Sequence, residues 1–457
     1  MKLGRNALLA LLGTLGALIA LVVPELGSDP WPFHATVHPH GLLGPVVRAA
    51  GRRWDHGFLR TPGTVVALAV ALAAATAWSA RRWRTDAAAG LALLVVLALL
   101  VPAVLLQAGL RQASAPWYHV NDSTYQIELA GDLVRHGHDP YGHDYSGSGL
   151  ERWYPAAGFP PTRRQVALHH LAYFPGTPLT AAAWRVLPAP LDDYRFFVLL
   201  CTIGLFFAAL AFRGPPALRI ALAAVAAANP LVVRAAWFGT ADAPALLCVL
   251  LAFAFVSRRR LVWAALALGA AVALKQFAIV AIPFVATAAY AMHPPRAVLR
   301  NAALAFAAPI LLAFVPFLVA DPAALWHDTV SYGGSTYRII GYGLSSLFLK
   351  AGVVDNRYSG YPFFWLALIV WLPLTAWLVR NQLRAGRAWV GGVGFAVSMF
   401  VLLFVSRVFQ TSYFVWPLIG IVAAVLLAHA DDEDVGARPD VSGEVDGGEL
   451  QPITTRP

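Results

Sequence analysis

The sequence predicts an all-α membrane protein that crosses the bilayer many times. Of its 457 residues, 59% are hydrophobic and only 13% are charged, whereas soluble domains average about 25% charged residues. Apolar runs recur along the chain, and a run of about 17 to 25 residues is long enough to cross the hydrocarbon core as a helix. The lipid bilayer is therefore an expected partner, and nucleic acid is not.

The apolar segments predict about 12 transmembrane helices, within a range of roughly 10 to 13. The first is an uncleaved N-terminal span in which Lys2 and Arg5 precede the apolar run and no small-residue cleavage site follows. The other predicted spans lie near 63–80, 87–109, 194–212, 217–232, 242–257, 261–274, 277–292, 301–319, 361–379, 388–406 and 412–429.

The short connections set the expected orientation, because loops rich in Lys and Arg stay in the cytoplasm. With the N-terminus inside, five connections fall on the cytoplasmic side and all are basic: RRWR at 81–84, 213–219, SRRR at 257–260, HPPRAVLR at 293–300 and RNQLRAGR at 380–387. The expected location is the plasma membrane, with both termini cytoplasmic.

This threading divides the chain into one integral-membrane domain, residues 1–429, and an acidic tail. Two long connections, 110–192 and 320–360, fall on the extracytoplasmic side. The tail, 430–457, contains Gly and Pro without an apolar period and is predicted to be a disordered cytoplasmic segment. Because the extracytoplasmic side has no nucleotide sugars, any transfer chemistry there requires a donor that already resides in the membrane.

Asp122 is the first candidate for chemistry, in the stretch NDSTYQIELAGDLVRHG. A carboxylate at the membrane surface can accept a proton from an acceptor hydroxyl as a general base. The alternative is structural: Asp122 or Ser123 caps a helix that runs along this stretch. Apolar residues from Tyr125 to Val134 support such a helix, expected to be amphipathic and to lie on the membrane.

HGHDPYGHD, at residues 136–144, collects three histidines and two aspartates. These are metal-ligand types, but their spacing matches no closed zinc pattern. DPYG also favours a turn, with proline at its second position. A polar turn is the preferred interpretation, and no metal is predicted.

Three basic residues lie near the expected extracytoplasmic ends of spans: Arg234, Lys275 and Arg407. A charged side chain near the bilayer centre costs about 2.5–3.5 kcal/mol on insertion scales, so it usually faces a cavity and a partner. An anionic phosphate is one such partner. The alternative is that the side chains extend to the lipid headgroups.

The order of these elements resembles the GT-C class of integral-membrane glycosyltransferases, most closely the polyprenyl-phosphate-dependent mannosyltransferases of glycosyltransferase family 87. The similar motifs run over about residues 115–290. They are Asp122 with Tyr125, GHDPY at 137–141, YFPGTPLTAAAWRVLP at 173–188, FGTAD at 238–242 and ALKQ at 273–276.

The resemblance implies an inverting transfer of a sugar, mannose by expectation, from polyprenyl phosphate to a glycolipid or cell-envelope glycan. Asp122 is then the general base, and Lys275, Arg234 and Arg407 bind the donor phosphate. Residues assigned to sugar or acceptor binding are Tyr125, Asp139, Tyr141, Gln276 and Gln410. No cofactor is expected beyond the lipid-linked donor, which is a co-substrate.

Two other classes compete with a transferase. About 12 spans is also a common number for secondary transporters of anionic or lipid-linked substrates, although transporters usually carry internal repeats and none is evident here. A non-catalytic scaffold for envelope assembly would not need Lys275 or Asp122.

Overall fold

The computed structural model describes residues 40–50, 85–113, 120–153 and 167–436. Within these residues the chain is mostly helical, with one pair of two-residue strands as its only sheet. The all-α prediction is therefore confirmed. The predicted spans at the N-terminus and at 63–80 lie outside the described residues.

Seventeen α-helices are present in the described ranges. In chain order they are α1 Gly44–Ala50, α2 Thr85–Ala113, α3 Asp122–Arg135, α4 Gly176–Trp184, α5 Tyr194–Leu210, α6 Pro216–Ala228, α7 Pro230–Phe238, α8 Ala243–Ser257, α9 Leu261–Leu274, α10 Ile282–Tyr290, α11 Arg296–Ala320, α12 Pro322–Trp326, α13 Leu344–Lys350, α14 Phe363–Leu366, α15 Leu372–Ala385, α16 Ala388–Val405 and α17 Val415–Gly436.

Shorter helical turns connect several of these helices. Gln276–Ala281 and Thr411–Phe414 are 3-10 helices, and His327–Thr336 and Ala367–Trp371 are π-helices. Four segments are long and apolar enough to cross a membrane: Arg296–Ala320, Phe363–Ala385, Ala388–Val405 and Thr411–Ala430. A membrane protein is thus supported, and the count of 12 spans stays a prediction.

The helical interior is built from small and branched apolar residues. The central helices α8 and α9 pack on each other, and α9 also packs closely on α11. A Cβ on Gly269 of α9 would collide with the backbone of Phe306 in α11. Only glycine permits this close approach of two helices, as is common where helices associate in membranes.

The ends of α5 and α8 meet at one end of the bundle. Arg213, after α5, donates its backbone N–H to Ser257 at the end of α8, and Arg258 donates to the carbonyl of Ala211. The opposite ends of the helices meet the described residues of two connections, which are 120–153 with 167–192 (the first loop) and 320–360 (the second loop). We call that end of the bundle the loop side.

The predicted span 217–232 is divided in two. Helix α6 ends at Ala228, and α7 begins at Pro230. Asn229 caps the new helix by accepting the backbone N–H of Val232 at 3.0 Å, and Pro230 has no N–H with which to continue the preceding helix. Arg234 therefore lies inside α7 and not at the end of a long span.

Helix α3 forms where the sequence predicted it, but its cap is Asn121. The Asn121 side chain accepts the backbone N–H of Ser123 at 2.9 Å, and Asp122 is the first helical residue. The helix does not lie exposed on a surface, because most of its first two turns are buried and Gly131 contacts Ala181 of α4. Three polar side chains, those of Thr124, Gln126 and Glu128, are buried too, so this helix packs within the protein, and its predicted position on the membrane stays a prediction.

The strand pair joins the second loop to the connection between α16 and α17. Strand β1, Ile340–Gly341, runs parallel to β2, Val408–Phe409. Gly341 has φ +100°, and a Cβ there would collide with the carbonyl of Phe409. The position therefore requires glycine, which holds the 320–360 segment against the last two long helices.

Helix α17 continues to Gly436, seven residues beyond the predicted end of the membrane domain at 429. The rest of the predicted tail lies outside the described residues.

Candidate functional site

A cavity of about 600 Å³ lies on the loop side of the bundle. Its walls come from the start of α3, the segment before α4, the tip between α9 and the following 3-10 helix, and the connection after α16. Four residues predicted for the site line this cavity: Asp122, Lys275, Gln276 and Gln410. They are up to 288 residues apart in the sequence, so the fold brings them together.

Asp122 enters the cavity from the N-terminus of α3. The capping role belongs to Asn121, although Asp122 Oδ1 also accepts the backbone N–H of Ser123 at 2.8 Å. The partial positive charge of a helix N-terminus stabilises a carboxylate at this position. Asp122 therefore lies at the cavity wall with its carboxylate beside a helix N-terminus.

Lys275 is buried at the tip that follows α9. Its ammonium lies 2.9 Å from Oδ1 of Asp242, which also accepts the indole N–H of Trp416 at 2.9 Å. Three aromatic rings surround the ammonium, at 5.3 Å for Tyr173, 5.6 Å for Phe277 and 6.0 Å for Tyr413. A lysine at this depth was expected to have a partner, and the sequence did not identify it as Asp242.

The first loop covers the tip that carries Lys275. Gln276 donates through Nε2 to the carbonyl of Ala172 at 3.1 Å, and Thr177 donates through its hydroxyl to the carbonyl of Leu274 at 2.7 Å. A Cβ on Gly176 would lie 2.6 Å from the carbonyl oxygen of Ala273. The YFPGTP motif therefore closes the end of α9 and fixes Lys275 beneath Tyr173.

Tyr173 and Tyr337 bring phenol groups to the cavity from the two loops. Burial raises the pKa of Tyr337 to about 12, and the negative charge of Asp122 acts in the same direction. Burial likewise raises the pKa of Tyr173, which is hydrogen-bonded to Ser123 and is close to both Asp122 and Asp242. Both phenols therefore remain protonated at neutral pH and can donate hydrogen bonds to a ligand.

Arg338 is a second cation of the cavity, and the sequence analysis did not select it. It hydrogen-bonds the side chain of Tyr337. Little in the sequence indicates that Arg338 lines a site, because an arginine in a long polar loop is usually exposed to water. Asp242 was also missed as a charged partner, although it ends the FGTAD motif.

Arg407 is buried beside the cavity without lining it. Its Nε donates to the carbonyl of Tyr337 at 2.6 Å, and Nη1 donates to the carbonyl of Ser359 at 3.2 Å. The structure thus gives Arg407 a role in holding the second loop, and contact with a phosphate stays a prediction. The side chain of Arg234 lies outside what the structure describes.

Three residues predicted to bind sugar or acceptor lie away from the cavity. Tyr125 donates through its hydroxyl to the carbonyl of Ser148 at 2.7 Å. Tyr141 donates to the carbonyl of Tyr173 at 2.8 Å, and Asp139 accepts the backbone N–H of Tyr141 at 2.9 Å. These hydrogen bonds lie within the first loop, and only that of Tyr141 reaches Tyr173. Direct binding of sugar or acceptor by the three residues stays a prediction.

The 136–144 stretch forms a turn. Glycines at 137 and 142 adopt positive φ, and the ring of His136 bonds the carbonyl of Asp132 at 2.7 Å. His136 and His138 are exposed. Burial raises the pKa of Asp139, because its carboxylate is partly withdrawn from water. The preferred interpretation as a polar turn agrees with this geometry.

A buried ionic network anchors the first loop to the helices. Arg111, at the end of α2, donates to Glu128 in α3 and to Asp193 at 3.0 Å each. Asp193 also accepts from Arg195 at 2.6 Å. Burial alone would raise the pKa of Asp193, but the guanidiniums of Arg195 and Arg111 outweigh it and hold the pKa well below its ordinary range. This network holds α3, and therefore Asp122, in a fixed position against the helix bundle.

Comparison of the chain with protein-family models, with curated proteins and with solved structures gave no match. A functional proposal therefore rests on the residues of the cavity. These residues offer a carboxylate at a helix N-terminus, a buried lysine–aspartate pair, an arginine and several phenol donors around one cavity.

Proposed function

We propose that this chain is a membrane glycosyltransferase. It moves a sugar, mannose in the first instance, from a polyprenyl-phosphate donor to a glycolipid or envelope glycan on the extracytoplasmic face. The observation that carries the proposal is the meeting of Asp122 with the cations Lys275 and Arg338 in one cavity at the end of apolar helices. The cavity volume falls in the range of about 300–1,000 Å³ typical of small-ligand sites.

Asp122 acts as the general base. The acceptor hydroxyl gives its proton to the carboxylate while its oxygen forms a bond to the anomeric carbon. The bond from that carbon to the phosphate oxygen breaks on the opposite face, so the configuration inverts. The phosphate leaves already ionised, and the reaction needs no acid.

Lys275 and Arg338 stabilise the charge that accumulates on the leaving phosphate. An ammonium has three donors, and Asp242 receives one of them, which leaves two for phosphate oxygens. Arg338 supplies a planar fork of donors that suits a phosphate. Such preorganised donors are typically worth about 2.7–4 kcal/mol in the transition state.

The sugar is held by the amide and phenol groups of the cavity. Gln276 Oε1 is buried and accepts no hydrogen bond from the described residues, so a sugar hydroxyl is a suitable donor for it. Tyr173, Tyr337 and Gln410 add donors around the same space. A buried acceptor without a donor costs about 1–3 kcal/mol, which a bound sugar recovers.

The direct test is transfer by the purified chain in lipid nanodiscs. Labelled polyprenyl-phosphate mannose and a membrane lipid extract are expected to yield a labelled glycolipid, and the corresponding nucleotide sugar is expected to yield none. A parallel reaction with polyprenyl-phosphate arabinose tests the sugar. Transfer from neither lipid-linked sugar, or equal transfer from the nucleotide sugar, contradicts the proposal.

A secondary transporter remains the second candidate, favoured by one observation. Helix α9 has 14 residues, or about 21 Å, against a hydrocarbon thickness of about 30 Å. A helix this short supports a position of the Lys275–Asp242 pair within the depth of the membrane, where transporters have their substrate and ion sites. Proteoliposomes separate the candidates: a transporter moves the labelled lipid-linked sugar between leaflets and forms no new glycolipid.

A further inference from the structure

A second polar cluster lies at the wall of the cavity, where the two loops meet. It consists of His170, before α4, and His327 and Asp328, at the start of the π-helix. One ligand atom from each residue lies within 4.8 Å of the others. Nδ1 of His170 is 2.9 Å from Oδ1 of Asp328, and Nδ1 of His327 is 3.7 Å from the same oxygen.

These separations are close to those of a tetrahedral metal site. Zinc binds imidazole nitrogen and carboxylate oxygen at about 2.0–2.2 Å, so two ligand atoms on a tetrahedron lie about 3.3 Å apart. The observed 2.9 Å and 3.7 Å fall on either side of that value. The three ligand atoms lie within 4.8 Å of one another, and side-chain rotation has to shorten the longest of these separations when an ion binds.

The carboxylate of Asp328 is already oriented for this role. Its other oxygen, Oδ2, accepts the backbone N–H groups of Gly142 at 2.9 Å and of Leu171 at 3.1 Å. Backbone donors of this kind fix ligating carboxylates in metal sites. With Oδ2 occupied, Oδ1 is the oxygen that faces the two imidazoles.

Burial and access also fit a metal ion. Asp328 and His170 are buried, whereas the side chain of His327 is 44% exposed. The exposed imidazole provides an entry path for an ion, and the buried pair provides a site of low solvent access.

We propose that His170, His327 and Asp328 bind a divalent transition-metal ion. Two imidazoles and one carboxylate select zinc and its neighbours over magnesium and calcium, which prefer oxygen ligands. Three protein ligands leave a position for water. The ion joins the first loop to the second at the cavity wall, and it takes no part in the transfer chemistry proposed above.

The experiment measures zinc binding and requires no activity. The tag-free full chain is stripped with a chelator, and zinc is titrated against a chromogenic competitor, with metal content per chain measured by mass spectrometry. Variants are His327→Ala and Asp328→Asn, and His138→Ala, an exposed histidine of the first loop, is the matched control. Cobalt substitution reports tetrahedral geometry by its visible absorption.

We expect one zinc per chain in the wild type and in His138→Ala, and affinity at least about tenfold weaker in His327→Ala. Because His327 is partly exposed, this variant is expected to elute and unfold as the wild type does before metal is added. Absence of zinc binding at micromolar concentration overturns the proposal. Equal affinity in His327→Ala and His138→Ala, or an unchanged Asp328→Asn, also overturns it.

Discussion

The ammonium of Lys275 lies 2.9 Å from the carboxylate of Asp242, and Trp416 donates to the same carboxylate oxygen. The pair is buried beneath Tyr173 in a chain otherwise dominated by apolar residues. Its two charges neutralise each other, so burial of the lysine is tolerated. The cation is therefore already oriented toward the cavity before a ligand arrives.

Substitutions of Asp242 and Lys275 distinguish the effect of this pair on stability from its effect on activity. Asp242→Asn leaves a buried cation without its carboxylate and is expected to lower the free energy of unfolding by about 3–5 kcal/mol. The double variant Asp242→Asn, Lys275→Gln removes both charges and is expected to recover most of that loss without recovering activity. Melting temperature in detergent and glycolipid yield measure the two effects. Full activity in the double variant would show that neither charge acts on the donor.

Asp122→Asn tests the general base. An amide keeps the size of the side chain but is a very poor base, so we expect normal expression and donor binding and a rate lower by about 10²–10⁴-fold. Asn121→Ala is the matched control: loss of the cap costs about 0.5–2 kcal/mol of stability, with little change in rate per folded molecule. Near-normal turnover in Asp122→Asn would remove Asp122 from the mechanism and make Asp139 the next carboxylate to test.

Arg338→Ala tests the newly found cation. Removal of a phosphate donor used in the transition state is expected to lower the rate by about 10²–10³-fold, with Arg338→Lys intermediate. Arg357→Ala, an exposed arginine of the same loop, is expected to behave as the wild type. Equal effects of the two alanine variants would indicate a general electrostatic effect and not a specific contact.

Arg407→Gln distinguishes a loop anchor from a phosphate ligand. The loss of donors to Tyr337 and Ser359 is expected to speed backbone hydrogen exchange over 337–361, because the loop loses its attachment. A phosphate ligand would instead leave exchange unchanged and raise the KM for the lipid-linked donor. Exchange measured by mass spectrometry, together with donor titration, decides between these roles.

Asp193 predicts a specific dependence of stability on pH. The pKa of Asp193 is lowered in the folded chain by Arg195 and Arg111. Its contribution to folding stability is therefore complete above its pKa in the unfolded chain, which is about 3.9. The contribution decreases as pH falls below that value toward the folded pKa. The difference in melting temperature between wild type and Asp193→Asn is therefore expected to shrink below about pH 4. Asp192→Asn, a partly exposed neighbour, serves as control, and a difference that grows on acidification would contradict the assignment.

The sequence predicted the helices better than it predicted the site. Apolar periodicity placed the span at 388–406 within one residue of α16, because burial in lipid or protein imposes that pattern. Lys275 was selected as a charge near an expected span end, and Asp122 as a carboxylate in the loop beyond one. Gln276 and Gln410 were selected through the family resemblance, and the fold brings all four residues to one cavity.

The partnerships between distant residues could not be predicted. Nothing local to Lys275 indicates Asp242, and nothing in the 136–144 stretch shows that Tyr141 supports Tyr173. Such pairings depend on how loops fold back over helices, which neither periodicity nor propensity encodes. The cap at Asn121 differed from the predicted caps, Asp122 or Ser123, by one or two residues, because Asn, Asp and Ser have similar capping preference.

The hydroxyl of Thr177 donates to the carbonyl of Leu274 at the end of α9, and this contact has a consequence for biogenesis. Backbone groups left without partners inside a bilayer cost several kcal/mol each. Thr177 precedes Leu274 in the chain, so during synthesis the first loop emerges from the ribosome before α9 does. If that loop has folded by then, the carbonyl of Leu274 meets its donor as soon as α9 forms, and the end of this short helix is not left without a hydrogen-bond partner.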